Sequence, residues 1–225
     1  MQSHRATCPR GAIILAFAAC ILAGWSGRAA AWEQRRGTVS FGVQGGVGSV
    51  EGNAIYTRHG YETDEFDYPL ENYRWGPAIG IRFRYSLDRS HAAGVSLEDL
   101  RYRRKSGVDP AAAKEFQINT VFFDYYLYLA RRERVTPSIV LGVGFHRDAF
   151  RFDESDHLIP PLALAANLGG GLEYFVRPPF SIEATLRGYY LGTRGAGEWS
   201  VDGAGSVAAS LQLGFHYYLL QSSER

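Results

Sequence analysis

The segment from Ser206 to Leu219 alternates between two kinds of side chain without interruption. One face carries mainly large apolar residues such as Leu213 and Phe215, and the other carries small or polar residues such as Gly214 and His216. This period of two predicts a β-strand. The strand is about twice as long as a typical strand of a soluble sheet, and its length suits a tilted strand that crosses a bilayer. Because an open sheet edge is not tolerated in hydrocarbon, such a strand requires a closed barrel.

The same alternation recurs in seven earlier segments. It predicts an all-β fold, an eight-stranded antiparallel up-and-down transmembrane β-barrel. In the third segment the apolar positions change phase at Leu100 and Tyr102, which predicts a β-bulge near Asp99. The predicted strands cover residues 38–48, 74–87, 93–102, 116–130, 138–146, 162–175, 180–191 and 206–219.

The connections between the predicted strands alternate in length. Those after the second, fourth and sixth strands are short, and those after the first, third, fifth and seventh are long. Short turns at one end and long loops at the other are typical of outer-membrane barrels, with the turns in the periplasm and the loops outside the cell. Aromatic residues should form a girdle at each membrane interface. The predicted girdles are Trp75, Phe145 and Tyr190 at the loop end, and Tyr85, Tyr125, Tyr174, Phe180 and Tyr217 at the turn end.

Residues 1–31 have the features of a cleavable signal peptide. Arg5 and Arg10 precede an apolar run over residues 11–25, and the segment ends in three alanines of the kind that a signal peptidase accepts. The apolar run is short for a membrane-spanning helix, which disfavours the alternative of an uncleaved anchor. We therefore expect export of the chain, removal of the signal peptide, and a barrel domain over residues 32–225.

Both cysteines of the chain, Cys8 and Cys20, lie inside this predicted signal peptide. The mature chain would therefore contain neither disulfides nor reactive thiols. A lipoprotein signal ending at Cys20 is a further alternative, but Phe17 and the apolar residues after Cys20 fit a lipidation motif poorly. The formal net charge of +1 argues against a nucleic-acid partner.

A glycine-rich stretch over residues 167–174 and an aromatic terminal strand over residues 213–219 accompany these features. With its signal peptide, eight alternating strands, glycine-rich stretch and aromatic terminal strand, the chain resembles the small OmpA/OmpX-type family of outer-membrane barrels. The resemblance extends over the whole of residues 32–225. The resemblance implies insertion by the barrel assembly machinery. We expect a monomeric protein of the bacterial outer membrane that contacts its lipid and has no cofactor. A soluble β-barrel or sandwich with a buried apolar face is the alternative.

Charged residues on the predicted inward faces should form an ion-pair network inside the barrel. Eight strands enclose only enough room for side chains, so a plugged lumen is expected, and buried charges persist when they are paired. If the turn after the second strand is centred near Ser90, Arg82 lies opposite Glu98. A gated conduit or a binding site is the alternative interpretation. The predicted network comprises Arg74, Arg82, Arg84, Glu98, Asp124, Glu173, Glu183 and Arg187.

A basic cluster at the loop end of the third strand is the candidate contact with lipopolysaccharide. It lies where the phosphates of that lipid would be, and arginine is suited to phosphate recognition. Solubilising surface charge is the alternative interpretation. The cluster consists of Arg101, Arg103, Arg104 and Lys105.

Catalysis and metal binding are two chemical activities for which the chain offers candidate residues. Ser181, Glu183 and His216 provide the residue types of a serine hydrolase near the periplasmic rim. Lipid A deacylase barrels carry a local His-x-Ser signature, whereas Tyr217 and Tyr218 follow His216 here, so a chain without enzymatic activity is favoured. Metal binding by loop residues is disfavoured by their irregular spacing, and no metal site is expected. The loop residues in question are His146, Asp148, Asp153, Asp156 and His157, together with Glu51, Glu62, Asp64, Glu65, Asp67 and Glu71.

The expected function follows from the expected location and the filled lumen. We expect an integral outer-membrane protein that has a structural or surface-interaction role through its extracellular loops. A small-solute channel and a lipid-modifying outer-membrane enzyme are the alternatives.

Overall fold

The computed structural model describes the barrel strands and the adjoining parts of their connections. The described residues are 37–52, 55–58, 73, 75–107, 114–129, 134–151, 157–158, 162–177, 179–192, 199–202 and 205–219. The predicted signal peptide at residues 1–31 and Arg74 lie outside the described residues. No helix long and apolar enough to cross a membrane occurs within those ranges.

Eight long antiparallel strands form the barrel wall, as the alternation predicts. Each of the eight predicted strands corresponds to one of them, and the last two have the predicted bounds. Their bounds are β1 Val39–Gly52, β2 Gly76–Ser86, β3 His91–Arg103, β4 Glu115–Tyr128, β5 Val135–Arg151, β6 Ala163–Arg177, β7 Phe180–Leu191 and β8 Ser206–Leu219.

The sheet is closed by the pairing of its first and last strands. Each strand pairs with its neighbours in sequence, and β1 pairs with β8 along its whole length, from Val39 opposite Leu219 to Gly52 opposite Ser206. Every strand of the wall therefore has a partner on both sides, so the wall has no free edge. The predicted up-and-down topology is confirmed.

The outer surface of the wall is apolar over most of its height. Leu164 is 69% exposed and Phe215 is 65% exposed, although both are large apolar side chains. An apolar surface of this extent would promote aggregation in water, whereas it is stable against lipid tails. The residues of both predicted aromatic girdles are exposed on this surface.

The third strand does not contain the β-bulge that its sequence predicts. Its register with β2 and β4 is continuous through Asp99, so this prediction is wrong. Leu100 and Tyr102 point into the barrel and are fully buried, while Arg101 and Arg103 point outward. We call the apolar zone of the outer surface the apolar belt. This part of β3 lies beyond the apolar belt, so its outward positions are polar and its inward positions are apolar.

The turn between β2 and β3 is centred one residue earlier than predicted. The Asp88 carboxylate accepts hydrogen bonds from the backbone N–H groups of Ser90 and His91, at 2.6 and 2.9 Å. This local bonding is typical of Asp in a tight turn. Moving the centre by one residue moves each partner by two, so Arg82 lies opposite Ser96 and not opposite Glu98.

Additional strand pairing lies at the end of the barrel that carries the long connections. Ile55–Arg58, from the connection between β1 and β2, pairs antiparallel with Trp199–Asp202, from the connection between β7 and β8. The end of β5 pairs with His157–Leu158. Parts of three long connections are therefore held by backbone hydrogen bonds.

Candidate functional site

Three of the groups of buried side chains inside the described part of the barrel lie at successive heights. Two of them contain ions, and the third, toward the long connections, is mainly aromatic. The lower ion layer comprises Arg82, Arg84, Glu173, Glu183 and His216, the central ion layer comprises Glu98, Asp124 and Arg187, and the upper aromatic layer includes Tyr73, Leu100, Tyr102, Phe116, Ile118, Phe122 and Phe150.

Arg187 is the hub of the central ion layer. Its Nη1 atom lies 3.2 Å from Oε1 of Glu98, and its Nη2 atom lies 3.0 Å from Oδ2 of Asp124. All three side chains are excluded from solvent. Burying a single unpaired ion is costly, so the two carboxylates and the guanidinium stabilise one another.

Neutral groups also donate hydrogen bonds to these two carboxylates. The Tyr189 hydroxyl donates to Oε2 of Glu98 at 2.6 Å. The Ser96 hydroxyl donates to Oδ2 of Asp124 at 2.7 Å, and the Asn167 amide donates to Oδ1 of Asp124 at 3.0 Å. These donors come from β3, β6 and β7, so the hydrogen bonds connect different sides of the wall.

Two arginines of β2 hold the lower ion layer together. Nη1 of Arg82 lies 2.7 Å from Oε2 of Glu183. Arg84 lies between two carboxylates, at 3.4 Å from Glu173 and 3.5 Å from Glu183. Glu173 and Glu183 are directly opposed on β6 and β7, so the arginines neutralise two like charges that the register places side by side.

Arg82 also links the two ion layers. Its Nη2 atom lies 3.9 Å from Oε1 of Glu98 in the central layer. The structure thus brings together seven of the eight residues of the predicted network, and the eighth, Arg74, lies outside the described residues. His216 joins the network although the sequence analysis considered it only for catalysis. Its Nε2 atom lies 2.9 Å from Oε2 of Glu183.

The geometry of Ser181 does not match that of a serine nucleophile. Its hydroxyl donates to Glu173, and His216 contacts Glu183 instead of the serine. A serine hydrolase needs a histidine base hydrogen-bonded to the nucleophile. The three residues lie in one buried region, but they act as members of the ion network.

The upper aromatic layer was not predicted from the sequence. The rings of Phe116 and Phe150 stack with their centroids 4.8 Å apart, and Tyr73 packs on Phe116 at 5.5 Å. Leu100 and Tyr102 of β3 are fully buried in the same cluster. The signal that would have revealed this layer is the phase change in β3, which reflects inward apolar residues and not a bulge.

Two residues considered for metal binding are bonded to each other inside the wall. His146 and Asp148 are both buried, and Nδ1 of His146 lies 2.9 Å from the Asp148 carboxylate. Nε2 of His146 lies 2.8 Å from the carbonyl oxygen of Gly192. Asp153 and Asp156 lie outside the described residues, and the described part of the chain contains no cluster of three or more potential metal ligands.

The predicted basic cluster is divided between two faces. Arg101 and Arg103 are exposed on the outer surface of β3, and Lys105 is exposed beyond its end. Arg104 is half-buried at the position where the backbone of β3 bridges to Tyr73. The outward positions of β5, opposite this part of β3 across β4, carry Arg147 and Arg151, which the sequence analysis did not include.

The closed wall, its apolar exterior and its ionic interior can be compared with solved structures. Neisserial surface protein A has a TM-score of 0.53 to this chain at 15% sequence identity, over 79% of this chain and 96% of its own. The chain has the fold of a small outer-membrane β-barrel. No protein-family model and no curated protein sequence matches the chain.

Two other barrels show weaker likeness to this outer-membrane-type fold. The attachment invasion locus protein Ail of Yersinia pestis has a TM-score of 0.41 at 20% identity, over 82% of this chain and 99% of its own. OprG of Pseudomonas aeruginosa has a TM-score of 0.47 at 12% identity, over 83% of this chain and 99% of its own.

Proposed function

We propose that this protein is an integral barrel of the bacterial outer membrane whose lumen is closed and whose activity is at the cell surface. The observation that carries the proposal is the contact between Arg187 and Glu98, at 3.2 Å across the barrel interior. The paired ions and the upper aromatic layer above them fill the lumen with side chains. A channel would need a continuous path of water through the same space. A closed lumen favours a structural or surface role over transport.

The long connections supply the surface for this role. Strand β5 continues to Arg151, beyond its last large apolar outward residue, Phe145. The paired segments Ile55–Arg58 and Trp199–Asp202 join two connections that flank the closure between β1 and β8. Backbone pairing of this kind positions loop residues for binding, as rigid scaffolds do in other proteins.

Conductance in planar lipid bilayers tests the closed lumen. The purified, heat-modifiable barrel should give no discrete current steps above those of a protein-free bilayer. An open bacterial porin inserted into the same bilayers serves as the positive control for detection, and the heat-dependent gel shift of the reconstituted protein verifies that it is folded. Steady single-channel currents from the unaltered protein would refute the proposal in favour of a solute channel.

The surface role is tested by shortening the loops. A variant in which residues 53–72 and 193–204 are replaced by short turns should keep the heat-dependent gel shift of a folded barrel. Cells that produce the intact chain should adhere to some members of a panel of immobilised proteins and glycans, and cells that produce the shortened chain should not. Equal adhesion by both strains would argue against a role carried by these loops.

A further inference from the structure

The outer surfaces of β3, β4 and β5 carry a polar face just above the apolar belt. Its outward residues are Asp99, Arg101 and Arg103 on β3, and Arg147, Ala149 and Arg151 on β5. Between them, β4 contributes Glu115, Gln117 and Asn119. We call Arg101, Arg103, Arg147 and Arg151 the arginine face.

The strand register places these arginines close together. Arg103 and Arg151 are both paired in register with Glu115, one on each side of it. Arg147 is paired with Asn119, which is paired in turn with Asp99. Neighbouring strands lie about 4.8 Å apart, so the guanidinium groups can reach a single ligand above β4.

Two carboxylates, Asp99 and Glu115, accompany the four arginines among the described residues of this polar face, so its net charge is positive. Arg101 donates to Oδ2 of Asp99 from Nε at 3.0 Å and from Nη2 at 2.7 Å. Arg103, Arg147 and Arg151 form no ion pair within the described part of the chain. The guanidinium group binds phosphate oxygens through paired hydrogen bonds, so three such groups above one strand suit a phosphorylated ligand.

The height of the arginine face on the wall restricts the source of that phosphate. Leu97 immediately precedes Asp99 among the outward residues of β3, and Phe145 immediately precedes Arg147 on β5. Leu97 is 38% exposed and Phe145 is 41% exposed on the apolar surface. The polar face therefore begins one outward position above the apolar belt, where lipid headgroups lie, at the end of the barrel with long loops.

An apolar groove continues downward from this polar face. It is open to the outside, has a volume of about 540 Å³, and is bordered at its polar end by Asp99 and Asn119. Its apolar side chains are Val43, Ile79, Ile81, Leu97 and Val121.

We propose that the arginine face and this groove together bind one phosphorylated glycolipid of the outer leaflet, of the lipid A class. Its phosphate groups would contact Arg103, Arg147 and Arg151, and one acyl chain would occupy the groove. The inference rests on the proposed placement in the outer membrane, because only the outer leaflet lies at the loop end. It does not depend on the lumen, so conductance measurements test the two proposals separately.

Binding of fluorescent bisphosphorylated lipid A to the full processed barrel in neutral detergent micelles tests the inference. Arg103→Gln, Arg147→Gln and Arg151→Gln together should weaken binding by about tenfold or more, because charge-assisted hydrogen bonds to phosphate are lost. Arg89→Gln, Arg134→Gln and Arg177→Gln together make the same change in charge at the turn end and should leave affinity unchanged. A heat-dependent gel shift verifies folding of both variants.

Further probes identify the part of the lipid that is recognised. Dephosphorylated lipid A should bind the unaltered barrel about as weakly as bisphosphorylated lipid A binds the arginine variant. Val121→Trp, which enlarges a side chain that lines the groove, should weaken binding of the acylated lipid and leave the weak binding of inorganic phosphate unchanged.

Several results would overturn the inference. Equal affinity of the arginine variant and the unaltered barrel would show that the face is only solubilising. Equal binding of phosphatidylglycerol would assign it to anionic lipids in general. Displacement of lipid A by millimolar inorganic phosphate would assign it to free phosphate, and preferential binding of a soluble sulfated glycan would assign it to a ligand outside the membrane.

Discussion

Arg187 on β7 and Glu98 on β3 start from opposite sides of the closed wall, and their charged groups meet at 3.2 Å in its interior. Three strands separate them in either direction around the barrel. The contact therefore joins strands that share no backbone hydrogen bonds. It also places a guanidinium and a carboxylate across the path that a solute would follow.

Replacing Arg187 by Met should strongly destabilise the barrel. The substitution keeps much of the side-chain volume but leaves Glu98 and Asp124 buried without their nearest cation. Loss of one partner from a buried ion pair typically costs about 3–5 kcal/mol. The free energy of unfolding, measured by urea titration in lipid vesicles, should fall by this order.

Arg177→Met is the matched control for this experiment. Arg177 is exposed at the turn end of β6, where its guanidinium lies 5.5 Å from the centre of the Phe180 ring, so its replacement should lower the free energy of unfolding by no more than about 1 kcal/mol. Adding Asp124→Asn and Glu98→Gln to Arg187→Met should recover part of the loss, because no uncompensated charge remains in this layer. A similar small effect of Arg187→Met and Arg177→Met would show that the central ion layer contributes little.

Gly42 and His216 form a second close contact, between β1 and β8. They are paired in register, and a Cβ atom added to Gly42 would stand 2.9 Å from Cγ of the His216 ring. Gly42→Val should therefore push the imidazole away from Glu183 and destabilise the barrel by roughly 1–3 kcal/mol. Combining it with His216→Ala should restore most of this loss in the same urea titration.

Gly45→Val provides the control within the same strand. Gly45 faces outward, and a Cβ atom there would approach only the Ala78 carbonyl oxygen at 4.0 Å. Its replacement should leave the stability unchanged or slightly increased. If Gly42→Val and Gly45→Val had the same effect, or if His216→Ala gave no rescue, crowding of the imidazole would not be the cause.

The faces of most strands were predictable because one physical rule holds within the lipid. Outward residues must be apolar there, so Leu213 and Phe215 lie on one face of β8 while Gln212 and His216 lie on the other. The rule ends where the wall leaves the apolar belt. Above the belt, Arg101 faces outward and Tyr102 faces inward. In the sequence this exchange of polar and apolar positions has the same pattern as a β-bulge, although the strand continues without one.

The charged residues of the lumen were predictable as a set, but their partners were not. A turn centred near Ser90 predicts Arg82 opposite Glu98, whereas the Asp88 carboxylate sets the centre one residue earlier by accepting hydrogen bonds from Ser90 and His91. The contact of 2.7 Å that Arg82 makes with Glu183 joins residues far apart in sequence. Which residues meet across the lumen depends on the tilt of the strands and the closure of the barrel. Neither can be read from a local sequence pattern.

His146 should hold the start of the connection between β7 and β8. Its Nε2 lies 2.8 Å from the Gly192 carbonyl oxygen, while the Gly192 N–H donates to the Leu164 carbonyl at 2.9 Å. His146→Leu removes one of these two bonds, so the Gly192 amide should exchange its hydrogen about tenfold faster, as expected for the loss of one hydrogen bond. Arg147→Gln, one residue away but on the outer surface, should not change the exchange rate. An unaltered rate in the His146 variant would contradict this role.

Phe116 should be the most sensitive position of the upper aromatic layer. Its ring lies 4.8 Å from that of Phe150 and 6.1 Å from that of Tyr102, so Phe116→Ala leaves a cavity between two aromatic side chains. We expect a loss of about 3–5 kcal/mol in the free energy of unfolding. Phe123→Ala changes the same residue type on the outward face of β4, where lipid can fill the space, and should cost much less.

Planar bilayers containing the Phe116 variant should show no current steps, because both ion layers remain below the cavity. If that variant conducts, the aromatic layer alone closes the lumen.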